Sequence, residues 1–401
     1  MAIVLVAGGE NQISLARHIR EKGYALIIVD PNERPPCLEY AGVHIKVDIR
    51  FHLDILPQLD QLNIVIDGVV SDQSDAALET VSILASHYNL PHVQVSKIRR
   101  CIDKLSQFNI LSKSDVALPC TKNGNENEPQ SIIEKADEML GNYEYIVVKP
   151  ADSQGSKGVG IASNKKEAIA AIQNALAYSP QRKVLLQQFI TGFEYSLDGV
   201  RIDGEFFPLV CARKFHYKSN PCIDERNTFL SDIPDIVVKN IVETTQKAVE
   251  ALEIDNSLFH AEVIIDHSSE SCCLIEISPR GGGGSISSKI VPAITDFSSN
   301  EFLLQRCTGG ELKVPSKTVF SKQENFVIMR FYPETTGLIN EIRFNNPVHS
   351  KIIHSESPNF PITGRKISNS RDRLGYWVIA SSDRELLVSD EKYMIDSMQV
   401  L

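Results

Sequence analysis

The chain has 401 residues, 42% hydrophobic and 23% charged, an ordinary globular composition that is long enough for two or three domains. Its formal net charge of −10 supplies no overall electrostatic reason to bind nucleic acid or an anionic membrane, so any basic site has to be local. The eight cysteines form no CxxC pair and are too sparse for a disulfide-stapled domain. No basic leader and no apolar run of roughly 18 residues is present, so we expect a soluble cytoplasmic protein.

"AIVLVAGG" reads as an apolar strand ending in glycines, "QISLARHIREKG" has helical spacing, and "YALIIVD" is a second buried strand. "NIVIDGVV" and the helix "DAALETVSILASHYNL" continue the alternation, giving a small parallel α/β domain over residues 1–97. Asp30 stands where a dinucleotide fold puts its ribose acid. The turn Gly8-Gly9-Glu10 nevertheless lacks GxGxxG, and Glu10 would oppose a pyrophosphate, which argues against nicotinamide binding.

Beyond Pro91, "KIRRCIDKLSQFNILSKSDVALP" is helical and cationic, and the turn-rich "TKNGNENEPQ" follows; a second domain is expected over 98–315. Strands are expected at "YEYIVVKP", "KVLLQQFI", "EYSLDGVRIDGEFFPLVCARK", "FHAEVIID" and "CCLIEIS", with helices near 130–140, 165–178 and 234–252, a mostly antiparallel α+β class. Cys272 and Cys273 read as small apolar filler. Strand alternation resumes in a C-terminal α+β domain over 316–401.

Two features carry chemistry. If "HAEVIIDHSSESCCLIEIS" is a hairpin turning at Ser269, Glu262 faces Glu276, with His260 and Ser278 on the same side and Ala261, Val263, Ile265, Cys273, Ile275 and Ile277 on the buried one. Opposed carboxylates repel unless a cation lies between them, and hard oxygens suit Mg²⁺ or Mn²⁺. Arg280 follows, then four glycines whose backbone N–H groups can turn toward an anion. The second feature is "VVKPADSQGSKGVG": a strand delivers Lys149 into a small polar loop, Ser153-Gln154-Gly155-Ser156-Lys157-Gly158. The loop fails the Walker spacing but can cradle phosphate oxygens, with Lys157 adding charge.

In order and spacing, Asp103-Lys104, "VVKP", "DSQGSKGV", "LLQQFITGFEYSLD" and "AEVIID…IEISPRGGG" resemble the ATP-grasp superfamily of carboxylate–amine ligases over residues 98 to about 315, and the N-terminal unit looks like the Rossmann-like pre-ATP-grasp domain. The resemblance implies an α/β and α+β ATP-grasp fold, ATP and Mg²⁺ (or Mn²⁺) as cofactors, and small-molecule carboxylate and amine substrates, with a homodimer allowed. Lys104 and Lys149 would contact phosphates, the 153–158 loop would close over them, Gln187, Gln188, Phe189 and Ile190 would read adenine, and Glu194 would hold the ribose. Glu262 and Glu276 match the metal pair; Ser278 replaces the usual asparagine, as a hydroxyl ligand.

Arg280 matches the arginine that stabilises the acyl phosphate, beside Lys157, and Gly282, Gly283 and Ser285 would present backbone to the substrate. The final segment looks most like that of the bacterial L-amino-acid ligases. This makes an amino acid or similar small carboxylate the expected acyl donor, with Arg213, Glu225 and Arg226 lining its pocket. Purine-pathway and carbamoyl-phosphate ligases, and a non-catalytic nucleotide-binding scaffold, are the alternatives.

Overall fold

The computed structural model describes residues 1–267 and 271–401, so the expected turn at Ser269 lies outside the described residues. At the N-terminus the strands Ala2–Val6, Ala25–Val29, Val43–Ile45 and Ile66–Val70 form a parallel sheet with 2–6 and 25–29 at its centre. Helices Ile13–Glu21, His52–Gln61 and Asp75–His87 accompany it. The continuous apolar runs of the central strands are buried on both faces, as parallel strands require.

The cationic stretch that follows is two helices, Val95–Ile102 and Lys104–Leu111, rather than one. Asp103 breaks them: its backbone is extended, and its carboxylate accepts the Ser106 N–H at 2.6 Å. Lys104 therefore occupies the first helical position. Part of the turn-rich stretch is also a strand. Thr121–Asn125 pairs along Lys183–Gln188 at the edge of a four-stranded antiparallel sheet, where polar residues are tolerated. Helices Pro129–Asn142 and Lys165–Tyr178 pack their apolar faces on this sheet.

The main sheet has eight antiparallel strands: 272–278, 257–266, 192–202, 205–217, 220–229, 326–331, 376–381 and 351–356, in spatial order. It runs without a break from the central region into the C-terminal segment, since Phe229 pairs with Val327 and Arg226 with Arg330. Helix Asp235–Ala251 covers one face, and one apolar cluster joins N-terminal residues such as Ile3 and Leu15 to Val200, Ile286 and Phe302. The N-terminal sheet is thereby anchored to the main body, with Glu301 bonded to His18 and Lys22 across the seam.

The hairpin 257–278 pairs Glu262 with Glu276, as expected, but for a reason that counting from the turn did not contain. Near the turn the pairs are Ile265 with Cys272 and Ile264 with Cys273; one extra residue, Ile275, then bulges out and resets the register. The buried face accordingly differs from the expected one. Cys272 and Leu274 join Ala261, Val263 and Ile277 in the core, while Ile275 is only half-buried.

Candidate active site

Two cavities meet where the N-terminal domain, the small sheet and the main sheet converge, one of about 930 Å³ and one of about 590 Å³. They share Asp75, Gln154, Lys157, Glu276, Ser278 and Arg371 in their walls and so form one cleft.

The pair of opposed acids is built by the hairpin. Lys104 Nζ lies 2.9 Å from Glu276 Oε1 and also donates to the Ser153 carbonyl at 3.1 Å, so one ammonium ties the first acid to the 153–158 loop. Lys149 is buried, with Nζ 3.5 Å from the carbonyl of the bulged Ile275; burial lowers its pKa to about 8.

Glu262 is held by Lys214 at 2.6 Å, and His260 Nε2 stands 3.6 Å from the same oxygen. Burial would raise the Glu262 carboxyl, but Lys214 and His260 hold it well below the usual range. Lys214 also contacts Glu194 at 2.5 Å and faces Asp224 at 3.8 Å, and these acids raise its pKa against the cost of burial. His260 donates to the buried Asp198 at 3.0 Å; although burial opposes the charge, Asp198 and Glu262 lift the imidazole to about 10.

Among the described residues no three His, Cys, Asp or Glu side chains cluster to hold a metal unaided. Two hard carboxylates, each balanced by an ammonium, nevertheless fit a Mg²⁺ ion whose remaining ligands are phosphate oxygens and water. Ser278, expected as a third ligand, lies in the wall of both cavities. It is 4% exposed and its hydroxyl donates to Asp75, a residue reaching in from the N-terminal domain.

Asp75 also receives Arg280 through two bonds of 2.9 Å, a fork-to-fork pair. Arg280 thus lies in the cleft wall, but its ion pair crosses to the N-terminal domain. Of the glycines, Gly282 gives its N–H to Asp198 at 2.8 Å. A Cβ there would stand 2.5 Å from Asp198 Oδ1 and 2.9 Å from His260 Nδ1, which is why the chain needs glycine at this close approach. The Gly282 N–H is therefore not free for an anion, whereas Gly283 faces the cavity with open space around it. Ser285 is buried away from the cavity, its hydroxyl paired with Tyr376 at 2.9 Å.

The 153–158 loop lies over the cleft: Ser153 lines the larger cavity, Gly155 and Ser156 the smaller, and Gln154 and Lys157 both, while Gly158 turns the chain back at φ +75°. Gln187, Gln188, Phe189 and Ile190 belong to the central strand of the small sheet and its exit. There Gln188 N–H bonds the Cys120 carbonyl at 2.9 Å and Phe189 N–H that of Tyr145 at 3.2 Å; none of the four lines the two cavities. Glu194 sits behind them, bonded to Lys214 and to His216 at 2.9 Å.

The three residues expected to line a substrate pocket do not. Arg226 pairs with Glu391 and Glu225 with Arg330, outside the cleft, and Arg213 stacks on Phe193 with its guanidinium carbon 4.1 Å from the ring centre. Strand parity explains this. Lys214 pairs opposite Asn227 and His216 opposite Asp224 on the cleft side, so Arg213, Phe215 and Arg226 turn to the other side, with Glu225 in the bulge between. His260 lines the cleft on the side of the acids, as expected, and the cleft residues that sequence reasoning missed are Asp75, Lys214, Asp224, Arg371 and Arg373.

Fold and site together define a class: two antiparallel lobes closing on a cleft of paired acids, lysines and a glycine–serine loop, the ATP-grasp architecture. Residues 143–289 match the ATP-grasp domain model, and the chain carries an ATP-grasp domain. It is 32% identical to dapdiamide A synthase of Enterobacter agglomerans over 146 residues, which are 35% of this chain and 34% of that protein. It is 25% identical to the carbamoyl phosphate synthase large chain of Pseudothermotoga lettingae over 163 residues, 39% of this chain and 14% of that one. The matched region thus spans about a third or less of these relatives.

Among solved structures, the L-amino acid ligase from Bacillus licheniformis superposes with a TM-score of 0.79 at 17% identity, covering 100% of this chain and 98% of that one. Phosphoribosylglycinamide synthetase from Anaerococcus prevotii gives 0.74 at 19%, covering 100% and 99%. These likenesses are of fold. No helix among the described residues is long and apolar enough to cross a membrane.

Proposed function

We propose that this chain is an ATP-dependent ligase that joins a small carboxylate, an amino acid or close analogue, to an amine through an acyl phosphate. The observation that carries this reading is the single cleft in which Lys104 bridges the phosphate loop to Glu276, opposite Glu262, with Arg280 beside them. A scaffold would have no need to keep opposed carboxylates and buried lysines together in one wall.

In this reading Lys104, Lys149, Lys157 and the backbone of 153–158 hold the triphosphate, Gln187–Ile190 meet adenine, and Glu194 meets the ribose. Glu262 and Glu276 hold Mg²⁺, which when bound neutralises phosphate charge. A carboxylate oxygen of the substrate attacks the γ-phosphorus, the bond to the ADP oxygen breaks, and an acyl phosphate forms. The amine nitrogen then attacks the acyl carbon, phosphate leaves with the carbon–oxygen electron pair, and the nitrogen loses its proton. Arg280 and the open Gly283 backbone face the developing oxyanion, and the closed loop keeps water from the acyl phosphate.

The likenesses to dapdiamide A synthase and an L-amino acid ligase support an amide-forming reaction on amino-acid-like substrates. A cytoplasmic location and a homodimer belong to the same reading. The test is ADP release across a panel of amino-acid pairs, purine-pathway intermediates and bicarbonate with ammonia. Release with an amino-acid pair, accompanied by amide product, supports the proposal. Release only with a ribonucleotide or with bicarbonate moves the chain to the corresponding other ligases, and release with none leaves a nucleotide-binding scaffold.

A further inference from the structure

The C-terminal segment places a short helical turn, Ser370–Asp372, against the phosphate loop. The turn is internally fixed. Asn369 caps it, and the buried Asp372 carboxylate accepts the N–H groups of Ser368 and Asn369, both at 3.0 Å. From it, Ser370 N–H and Oγ both donate to the Gly155 carbonyl, at 3.2 and 3.0 Å. Gly155 has φ +66°, and a Cβ there would lie 2.5 Å from Ser370 Oγ, so the close approach depends on glycine.

The turn is also tied to the opposite wall of the cleft. Arg373 donates through Nε to the Ser370 carbonyl at 3.0 Å and through a terminal nitrogen to that of Asp224 at 3.3 Å. Its guanidinium carbon lies 3.6 Å from the centre of the Phe331 ring. Arg371, between these anchors, stands in the wall of both halves of the cleft, and together with burial its charge lowers the pKa of the neighbouring Lys157. A loop of glycine, serine and glutamine has little apolar surface of its own with which to stay closed, so contacts from a rigid neighbour decide its position.

We propose that the 369–373 turn is a latch that holds the phosphate loop shut, with Ser370 and Arg371 as positioning residues and Arg373 linking the latch to the wall that contains Asp224. Loop closure and the shape of the substrate cavity then change together, because one rigid turn touches both.

Two variants approach the contact from its two sides: S370A/R371A in the turn and G155A in the loop. The full-length chain is digested with a lysine-specific protease, and cleavage after Lys157 is compared with cleavage after the exposed Lys313. Release of the loop should speed cleavage at Lys157 about fivefold or more in both variants, with Lys313 unchanged. The activity arm rests on the ligase reading: ADP released per amide formed should rise about fivefold, because an unlatched loop admits water to the acyl phosphate. Unchanged Lys157 cleavage in both variants overturns the latch, as does tight coupling retained alongside it. If the wild type releases ADP with no substrate pair, the ligase reading fails while the cleavage ratio still decides the latch.

Discussion

Asp75 and Arg280 meet as a bidentate ion pair, two bonds of 2.9 Å between a helix start in the N-terminal domain and the loop that leaves strand 272–278. Both are largely buried, at 9% and 16% side-chain exposure, and Arg280 holds the Asp75 carboxyl below its usual range although burial pushes the other way. Removing one partner leaves a charge without compensation in the interior. Asp75→Ala should cost about 3 kcal/mol of stability. Arg280→Ala should cost a similar amount, and the double variant clearly less than the two together. Denaturant melts of the four proteins check this; simple additivity would mean that the pair is not coupled.

Glu276→Ala removes one of the two opposed acids while leaving the hairpin's apolar side intact. We expect amine-dependent ADP release to fall at least about 100-fold, with the circular dichroism spectrum and melting cooperativity unchanged. Full activity in this variant would exclude Glu276 from the metal site.

Lys149 lies with its ammonium near the Ile275 carbonyl, and burial lowers its pKa to about 8. A bound triphosphate favours the charged form, so ATP binding near pH 8 should take up part of a proton, visible in calorimetry as a dependence on buffer ionisation enthalpy. Lys149→Ala should weaken ATP about tenfold or more, some 1.4 kcal/mol, and abolish the uptake. Unchanged affinity would remove Lys149 from the phosphate site.

Glu301 joins helix Ser299–Thr308 to His18 and Lys22 of the N-terminal domain. Partial burial would raise its pKa, but bonds from Lys22, Gln305 and His18 bring it to about 2. A folded-state pKa depressed from 4.5 stabilises the fold above the unfolded value, and that stability is lost as pH falls from about 4.5 toward 2. With Lys22 well exposed, solvent screening reduces the effect to about 1 kcal/mol. At neutral pH Glu301→Gln should melt lower than wild type, and the gap should narrow as the buffer is taken to pH 3. A gap independent of pH would assign the loss to packing instead.

The substrate residues show where legibility stopped. The turn at Asp203–Gly204 is readable, and regular pairing continued from Ile202 and Glu205 would put Arg213 opposite Glu194. A bulge at Leu209 shifts the register by one, so that Arg213 faces Tyr195 and Lys214 meets Glu194. One inserted residue exchanges the two sides of a strand, and its only mark in the local sequence is Pro208 beside it, a residue that an internal strand tolerates at a bulge. The bulge at Ile275 offsets a one-residue difference nearer the turn, so Glu262 and Glu276 pair as counted although the register beyond them, and with it the composition of the buried face, does not.

The alternation of strands and helices and the glycines of the two polar turns follow from the sequence itself, because periodicity and backbone freedom are properties of neighbouring residues. Tertiary packing alone decided that Asp75 grips Arg280, that Lys214 and His260 balance Glu262, and that Ser370 rests on Gly155. These partners are separated by 205, 48, 2 and 215 positions. For the distant ones, only the docking of whole elements brings the charges together, and the short His260–Glu262 step depends on a strand whose register its neighbours fix.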